Sequence, residues 1–145
     1  MSRSRTRTVL PDESPLLDVS YTAANPLIMV DLVREGVPWE LYRGVMTDLG
    51  LNDQMAAGVL HIPPRTLSRR KGGRLDPQEG ERLMRLVRLV AQATEVLGAR
   101  DKALRWMESP NRALGGATPM SLLDTDIGTQ AAEAVLTRIE YGVYS

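Results

Sequence analysis

Apolar residues recur at spacings of three and four along most of the chain, which is the pattern of amphipathic α-helices. The pattern predicts a series of helices, most of them bounded by a proline, a glycine or a capping residue. The predicted helices cover residues 27–35, 38–49, 53–60, 64–71, 78–97, 100–107 and 126–141, with a short one from 119 to 123. Residues 1–26 contain three prolines, scattered Ser and Thr and only weak periodicity, so we expect a flexible N-terminal lead there.

Capping residues mark several of the predicted helix ends. Asn52, Asp76 and Thr125 each precede a helical pattern, and their side chains can accept the backbone N–H groups that a helix start leaves unpaired. Gly50 and Gly98 are natural C-terminal stops. For the last helix, the spacing predicts an inner face of Ala131, Val135, Leu136 and Ile139.

The helix predicted over residues 78–97 is apolar around more than one face. Such a helix needs cover on two sides, so it is either central to the fold or pairs with another copy of the chain. A row of arginines at spacing three also lies on it, made of Arg82, Arg85 and Arg88. We expect this row to be solvated, with Glu79, Glu81 and Glu95 as nearby counter-charges, and phosphate contact by Arg82 is the alternative.

Composition narrows the fold class. Apolar residues make up 43% of the chain, aromatic residues only 4%, and Phe is absent. Leu, Val, Met and Ala must therefore fill the core, which favours an all-α fold. No apolar stretch approaches the ~20 residues that span a bilayer. We expect a cytoplasmic protein that does not bind membranes.

Composition also limits the chemistry. The chain has no cysteine, which excludes disulfides, thiolate nucleophiles and cysteine-based zinc sites. It has one histidine and no evident pairing of carboxylates, so we expect no enzyme activity, no catalytic or metal-binding residues and no cofactor. The formal net charge is zero, which argues for a local basic patch rather than general binding to polyanions.

The stretch from His61 to Gly72 carries the clearest functional signal. It contains Arg65, Arg69, Arg70 and Lys71 and no acidic residue. It follows a short apolar helix across a tight turn, which is the arrangement of a helix-turn-helix motif that binds DNA. His61 falls where many such turns have glycine, and histidine tolerates a positive φ better than most residues. We interpret His61 as a turn residue rather than a metal ligand or catalytic base.

The C-terminal region carries two further features. Residues 111–116 end in a glycine pair, but no Lys-Ser or Lys-Thr follows, so we interpret this loop as a turn and not as a phosphate-binding loop. The chain ends with Tyr141, Val143 and Tyr144, although termini are usually polar. Such an end either packs on its own domain or fills a pocket of a partner, and tyrosine suits an interface.

Several short sequence motifs resemble those of the Xre/MbcA/ParS antitoxin family. The first group is Pro64-Arg65-Thr66-Leu67-Ser68-Arg69-Arg70, Leu75-Asp76-Pro77 and Glu81-Arg82-Leu83. The second group is Trp106-Met107, Pro110-Asn111-Arg112-Ala113-Leu114-Gly115-Gly116, Thr118-Pro119, Leu122-Leu123-Asp124-Thr125 and Arg138-Ile139-Glu140-Tyr141-Gly142-Val143-Tyr144-Ser145. The resemblance covers about residues 38–145, and its second half is the more specific.

The resemblance implies an antitoxin that binds a RES-domain toxin, of a family linked to NAD consumption, and represses its own operon. It assigns DNA contacts to the basic stretch, namely Arg65, Thr66, Ser68, Arg69 and Arg70. We add the neighbouring Lys71 to these predicted DNA-binding residues. It assigns toxin contacts to the glycine loop and the C-terminal end, namely Leu114, Gly115, Gly116, Tyr141, Gly142, Val143, Tyr144 and Ser145. The predicted organisation is a flexible lead (1–26), an Xre-like helix-turn-helix and dimerisation region (27–97) and a small helical toxin-binding domain (98–145).

Other functions are open at this stage. A stand-alone helix-turn-helix regulator without a toxin partner would carry the same basic stretch. RNA binding is less consistent with the sequence, because no aromatic residues are interleaved with the cations to stack bases. A homodimer is expected, because one short recognition helix offers few base contacts. The 78–97 helix is one candidate dimer surface.

Overall fold

The computed structural model describes residues 22–142, and most of that range is helical. The helices are α1 (Pro26–Glu35), α2 (Trp39–Leu49), α3 (Asp53–Leu60), α4 (Pro64–Arg69), α5 (Pro77–Leu97), α6 (Arg100–Glu108) and α7 (Asp126–Glu140). Two short 3₁₀ turns, Arg112–Leu114 and Met120–Leu122, lie between α6 and α7. Residues 22–142 contain no β-strand, only an isolated bridge between Pro38 and Arg74, so the predicted all-α class is confirmed. Thr22 and Ala23, in the predicted lead, are helical.

The predicted caps form in the structure. The Asn52 side chain accepts the Met55 N–H at 2.8 Å, and the Thr125 hydroxyl oxygen accepts the Gly128 N–H at 2.9 Å. At the start of α5 the capping is reciprocal. The Asp76 carboxylate accepts the Glu79 N–H, the Glu79 carboxylate accepts the Asp76 N–H, and both distances are 2.8 Å. These bonds set the first residues of three helices, which is why their starts could be predicted from local sequence.

Two predicted details were wrong. The basic helix ends at Arg69 rather than residue 71, because a turn closed by the Gly73 N–H on the Arg70 carbonyl follows it. In α7, Ala131 is exposed and Ala132 is buried, so the inner face is rotated from the predicted one. The residues of α7 that are buried are Thr129, Ala132, Val135 and Leu136.

Helix α5 is the centre of the fold. It packs against α1, α3, α6 and α7. Its buried apolar residues surround most of the helix, and they are Leu83, Met84, Leu86, Val87, Leu89, Val90 and Ala93. The first of the two predicted alternatives is therefore confirmed. The apolar stripe of α5 is covered within one chain. The prediction that this helix offers a dimer surface is therefore wrong.

The arginine row on α5 is not a solvated face, which corrects that expectation. Arg82 donates to the carbonyls of Leu60 and His61 at 3.2 and 3.1 Å. The other two members bond to the C-terminal part of the chain. Arg85 donates to the carbonyls of Leu123 and Asp124 at 3.4 Å, and Arg88 pairs with Glu133 at 3.1 Å. The row therefore joins α5 to the helix-turn-helix on one side and to α7 and the turn before it on the other.

Candidate DNA-binding and partner-binding surfaces

Helices α3 and α4 form the predicted helix-turn-helix. His61 ends α3 with φ 54° and ψ 42°, and it is the one non-glycine residue with positive φ in the described chain. This left-handed conformation brings the Ile62 N–H to the Ala57 carbonyl at 3.0 Å and lets the buried Ile62 side chain enter the core. The predicted role of His61 as a turn residue is confirmed.

Helix α4 presents most of its residues to solvent. Leu67 is its one buried residue. Arg65, Ser68 and Arg69 are exposed and Thr66 is half-buried, while Lys71 is exposed in the following turn. Within residues 22–142, no carboxylate lies within ion-pair distance of Arg65, Arg69 or Lys71. We call Arg65, Thr66, Ser68, Arg69 and Lys71 the basic face.

Arg70 differs from the other cations of this stretch. Its guanidinium donates to both carboxylate oxygens of Glu79, at 2.9 and 3.2 Å, and approaches Asp76 at 3.5 Å. The hydrogen bond to Glu79 and its charge raise the pKa of Arg70 above its ordinary value. The sequence placed Arg70 among the DNA-contacting residues, and the structure places its charge against α5.

A groove lies beside the basic face, between α2, α3 and α4. It encloses about 450 Å³, and its lining includes Trp39, Arg43, Asp53, Gln54, Ser68 and Lys71. Arg43 adds a cation from a neighbouring helix, 4.0 Å from Asp53, and its side chain is 55% exposed. Sequence reasoning missed Arg43, because only the folded chain brings α2 next to α4.

Tyr42 supports this groove from the core. Its side chain is fully buried, its ring lies 4.7 Å from that of Trp39, and its hydroxyl is 3.5 Å from Asp53. Burial, and then the nearby Asp53 charge, raises the pKa of Tyr42 to about 12. The phenol therefore stays neutral at pH values where a free tyrosine ionises.

The glycine loop is a closed turn, as predicted. The Asn111 N–H bonds the Ala117 carbonyl at 3.0 Å, and the Gly116 N–H returns to the Asn111 carbonyl at 2.9 Å. Gly115 and Gly116 both have positive φ, 68° and 89°. Only glycine adopts two such conformations in succession without strain, so the sequence of this turn follows from its shape. Gly115 and Gly116 are exposed and Leu114 is half-buried.

Helix α7 exposes an apolar stripe that sequence reasoning did not identify. Its members recur at spacings of four and three and are all exposed, so they share one side of the helix. We call this set, Ile127, Ala131, Ala134, Arg138 and Tyr141, the outward face of α7. Ile127 is 79% and Tyr141 74% exposed, among the largest exposed apolar side chains of the described residues. The predicted site residues Val143, Tyr144 and Ser145 lie outside the described residues.

Gly128 fixes the start of α7 against the preceding 3₁₀ turn. A Cβ atom at this position would overlap the Leu122 carbonyl oxygen and lie 2.9 Å from the Thr125 hydroxyl oxygen. No side chain can occupy that space, so the 3₁₀ turn and the helix approach closely only because residue 128 is glycine. This close approach holds the first turn of α7 against the preceding 3₁₀ turn.

Two family models match this chain in succession. The Antitoxin Xre-like helix-turn-helix domain matches residues 29–88, and the Antitoxin Xre/MbcA/ParS C-terminal toxin-binding domain matches residues 92–142. The chain is 30% identical over 131 residues to an Antitoxin Xre of Yersinia enterocolitica, covering 88% of both chains. The chain belongs to the Xre/MbcA/ParS antitoxin family. The predicted resemblance is thereby confirmed. The first match begins in α1, whereas the resemblance seen in the sequence motifs began near residue 38.

Further relatives agree with this membership. An Antitoxin Xre of Photorhabdus laumondii is 33% identical over 144 residues, covering 96% of this chain and 89% of that protein. Among solved structures, a chain of the Mycobacterium tuberculosis MbcT–MbcA toxin–antitoxin complex superposes with a TM-score of 0.54. It is 31% identical and the match covers 71% of this chain and 93% of that one.

Membership makes this chain an antitoxin of a toxin–antitoxin system, with a helix-turn-helix domain and a C-terminal toxin-binding domain. The relatives are antitoxins rather than enzymes. The two matches meet within α5, between residues 88 and 92, whereas the predicted division lies at residue 97. No helix among the described residues is both long and apolar enough to cross a membrane.

Proposed function

We propose that this antitoxin neutralises a NAD-consuming RES-domain toxin and represses its own operon by binding operator DNA in the bacterial cytoplasm. The observation that carries the proposal is the pairing of two exposed surfaces of opposite chemistry on the same chain. The basic face of α4 is cationic and has no ion-pair partner among residues 22–142, whereas the outward face of α7 is mainly apolar. A cationic face suits a duplex, and an exposed apolar stripe suits a protein partner.

The toxin contacts are proposed on the outward face of α7, the glycine loop and the C-terminal residues. Both 3₁₀ turns contact α7, so Leu114, Gly115 and Gly116 belong to the same part of the molecule as that face. Tyr141 and Gly142, exposed at the end of α7, continue it toward Val143, Tyr144 and Ser145. We propose that these last residues enter the substrate cleft of the toxin and block it.

Growth rescue tests the toxin arm. Cells that express the operon's toxin should be rescued by the wild-type chain and not by a chain lacking residues 141–145. Ile127→Asp should weaken co-purification of the toxin, because it places a charge in the apolar interface. Leu27→Asp is the matched control, since Leu27 in α1 is also 79% exposed but lies on another surface. Full rescue by the truncated chain would contradict the blocking role of the C-terminal residues.

The RES assignment has a separate test. Expression of the partner toxin alone should lower cellular NAD, and co-expression of the antitoxin should restore it. A toxin that co-purifies with this chain but leaves NAD unchanged would contradict the RES assignment while leaving the antitoxin role intact.

The DNA arm rests on the basic face. Arg69→Ala should weaken binding to a duplex carrying the operon's promoter, and the slope of log affinity against log salt should become shallower by about 0.9 if Arg69 contacts a phosphate. Arg105→Ala is the control, because Arg105 is an exposed arginine of α6 whose side chain is 71% exposed. A promoter–reporter assay should show derepression by Arg65→Ala combined with Arg69→Ala. Unchanged binding by that double variant would contradict the DNA arm.

Two copies of the chain are proposed to bind one operator, because a recognition helix of six residues reads few bases. Since the apolar stripe of α5 is buried within the chain, the dimer contact must use another surface. Light scattering at micromolar concentration should give twice the 16.0 kDa chain mass. A monomer that still binds the promoter duplex with full affinity would contradict this arrangement.

A further inference from the structure

We propose that Arg70 positions the recognition helix and does not contact DNA. The inference rests on the proposed DNA-binding function, and it divides the cations of the basic stretch into two classes. Arg65, Arg69 and Lys71 are exposed and available to a duplex. Arg70 instead holds the C-terminal end of α4 against the first turn of α5.

The geometry of the Arg70–Glu79 pair is that of a rigid connection. Nε of Arg70 donates to one carboxylate oxygen of Glu79 at 2.9 Å, and Nη2 donates to the other at 3.2 Å. Two parallel bonds of this kind fix both the distance and the orientation of the planar groups. Glu79 is itself held in place, because one of its oxygens also accepts the Asp76 N–H in the capping box.

Electrostatics keeps Arg70 in this position. The Glu79 side chain is only 7% exposed, so its carboxylate would be a buried charge without its cationic partner if Arg70 turned toward a phosphate. Asp76, 3.5 Å from the same guanidinium, adds a second negative charge beside it. Because Arg70 is already neutralised within the chain, it should release few counterions when DNA binds.

Helix α4 depends on such contacts because it has little apolar anchorage. It is six residues long and buries only Leu67. Arg82 holds the turn before α4 through the carbonyls of Leu60 and His61, and Arg70 holds the end after it. Both arginine contacts connect to α5. The angle at which α4 meets a duplex is therefore fixed by α5, which contacts the segments at the two ends of α4 away from the basic face.

Salt-dependent binding to the promoter duplex separates the two classes, with Arg69→Met as the matched comparison. Arg69→Met should make the salt slope shallower by about 0.9. Arg70→Met should lower affinity about tenfold at fixed salt and leave the slope unchanged. Arg70→Lys should be nearly as weak, although it keeps the charge, because lysine cannot form the two parallel bonds.

Glu79→Gln gives the sharpest contrast. Glutamine can still accept the Asp76 N–H, so the capping box is kept while the charge is lost. Removal of a negative charge would raise DNA affinity if only the net charge mattered, whereas loss of positioning should lower it. Combined with Arg70→Met, Glu79→Gln should cause little further loss. An Arg70→Met slope as shallow as that of Arg69→Met, together with a gain of affinity in Glu79→Gln, would overturn the proposal.

Amide hydrogen exchange keeps this test independent of DNA. Arg70→Met and Glu79→Gln should each accelerate exchange at the amides of Leu67 and Arg70 in the free protein, and Arg69→Met should not. If the wild-type chain bound no promoter duplex, the proposed DNA-binding function would fall, and exchange would still decide whether Arg70 positions α4. Unchanged exchange in both variants would overturn the positioning role.

Discussion

The helix-turn-helix and the C-terminal region are held against the same helix by different interactions. On the first side, Arg70 and Arg82 form polar contacts between α5 and the segments at the two ends of α4, and α4 itself buries only Leu67. On the second side, α7 packs several buried residues against α5 and approaches the preceding turn at Gly128. The comparison teaches that a charged surface and an apolar surface need different support. The short α4 is held mainly by the Arg70 ion pair and the Arg82 hydrogen bonds, whereas α7 combines close packing with one ion pair of its own, Arg88–Glu133.

Leu67→Ala should have the largest effect, because Leu67 is the one buried residue of α4 and is 2% exposed. We expect a loss of about 3 kcal/mol in the free energy of unfolding. DNA affinity should be lost along with the orientation of α4, while toxin binding remains. Chemical denaturation followed by both binding assays would check this. Toxin binding lost in step with DNA binding would contradict the separate support of the two surfaces.

Gly128→Ala tests the packed side. The new Cβ would meet backbone and hydroxyl oxygens at the start of α7, and we expect a cost of about 3 kcal/mol, with toxin binding more affected than DNA binding. Gly58→Ala is the matched control, because a Cβ at Gly58 in α3 meets nothing within 4 Å. That variant should instead stabilise the protein by about 0.5–1 kcal/mol through the higher helix propensity of alanine. Equal melting temperatures for the two variants would refute the close approach at residue 128.

Alkaline pH should lower the stability of the protein through Tyr42, which lies beside the helix-turn-helix. The folded protein raises the pKa of Tyr42 from 10.0 to about 12, so the folded state favours the neutral phenol. This stabilisation is complete below the pKa of the unfolded chain and is lost as pH rises toward 12. We expect wild type to lose roughly 2–3 kcal/mol more than Tyr42→Phe across that interval. Parallel denaturation curves at several pH values would measure the difference, and identical pH profiles would count against the buried phenol.

Substitutions of the N-cap residues of α3 and α7 should have the smallest effects on stability, and the two effects should be similar in size. Asn52→Ala at α3 and Thr125→Ala at α7 each remove one side-chain acceptor and should cost about 1 kcal/mol. We expect the first variant to weaken DNA binding and the second to weaken toxin binding. Thermal unfolding with both binding assays would measure this. Weaker toxin binding by Asn52→Ala, or weaker DNA binding by Thr125→Ala, would show that the two surfaces are not independently supported.

Local sequence predicted those parts of the fold that neighbouring residues determine. The caps at Asn52 and Thr125, the turn at His61 and the glycine loop all depend on contacts within a few residues. The arginine row was misinterpreted because its partners are distant, and Arg88 reaches Glu133 across 45 positions. No periodicity in one segment contains that information.

The surfaces were predicted less completely than the fold. The basic face could be found because its cations lie close together in the sequence, but the pairing of Arg70 could not, since it depends on how α5 is placed. The outward face of α7 was missed for a related reason. Alanine fits both buried and exposed helix faces, so the sequence did not show that Ala132 is buried and Ala131 is exposed.

The outward orientation of the α7 stripe also bears on how such proteins diverge. Ile127 and Tyr141 contribute little to the stability of this chain, because their side chains are mostly in solvent. Replacing them leaves the interior intact, so if this stripe binds the toxin, as we propose, new partner preferences can arise in single substitutions without a loss of folding. Paralogous antitoxins in one genome could separate their cognate toxins by changing this stripe alone, while keeping the same interior.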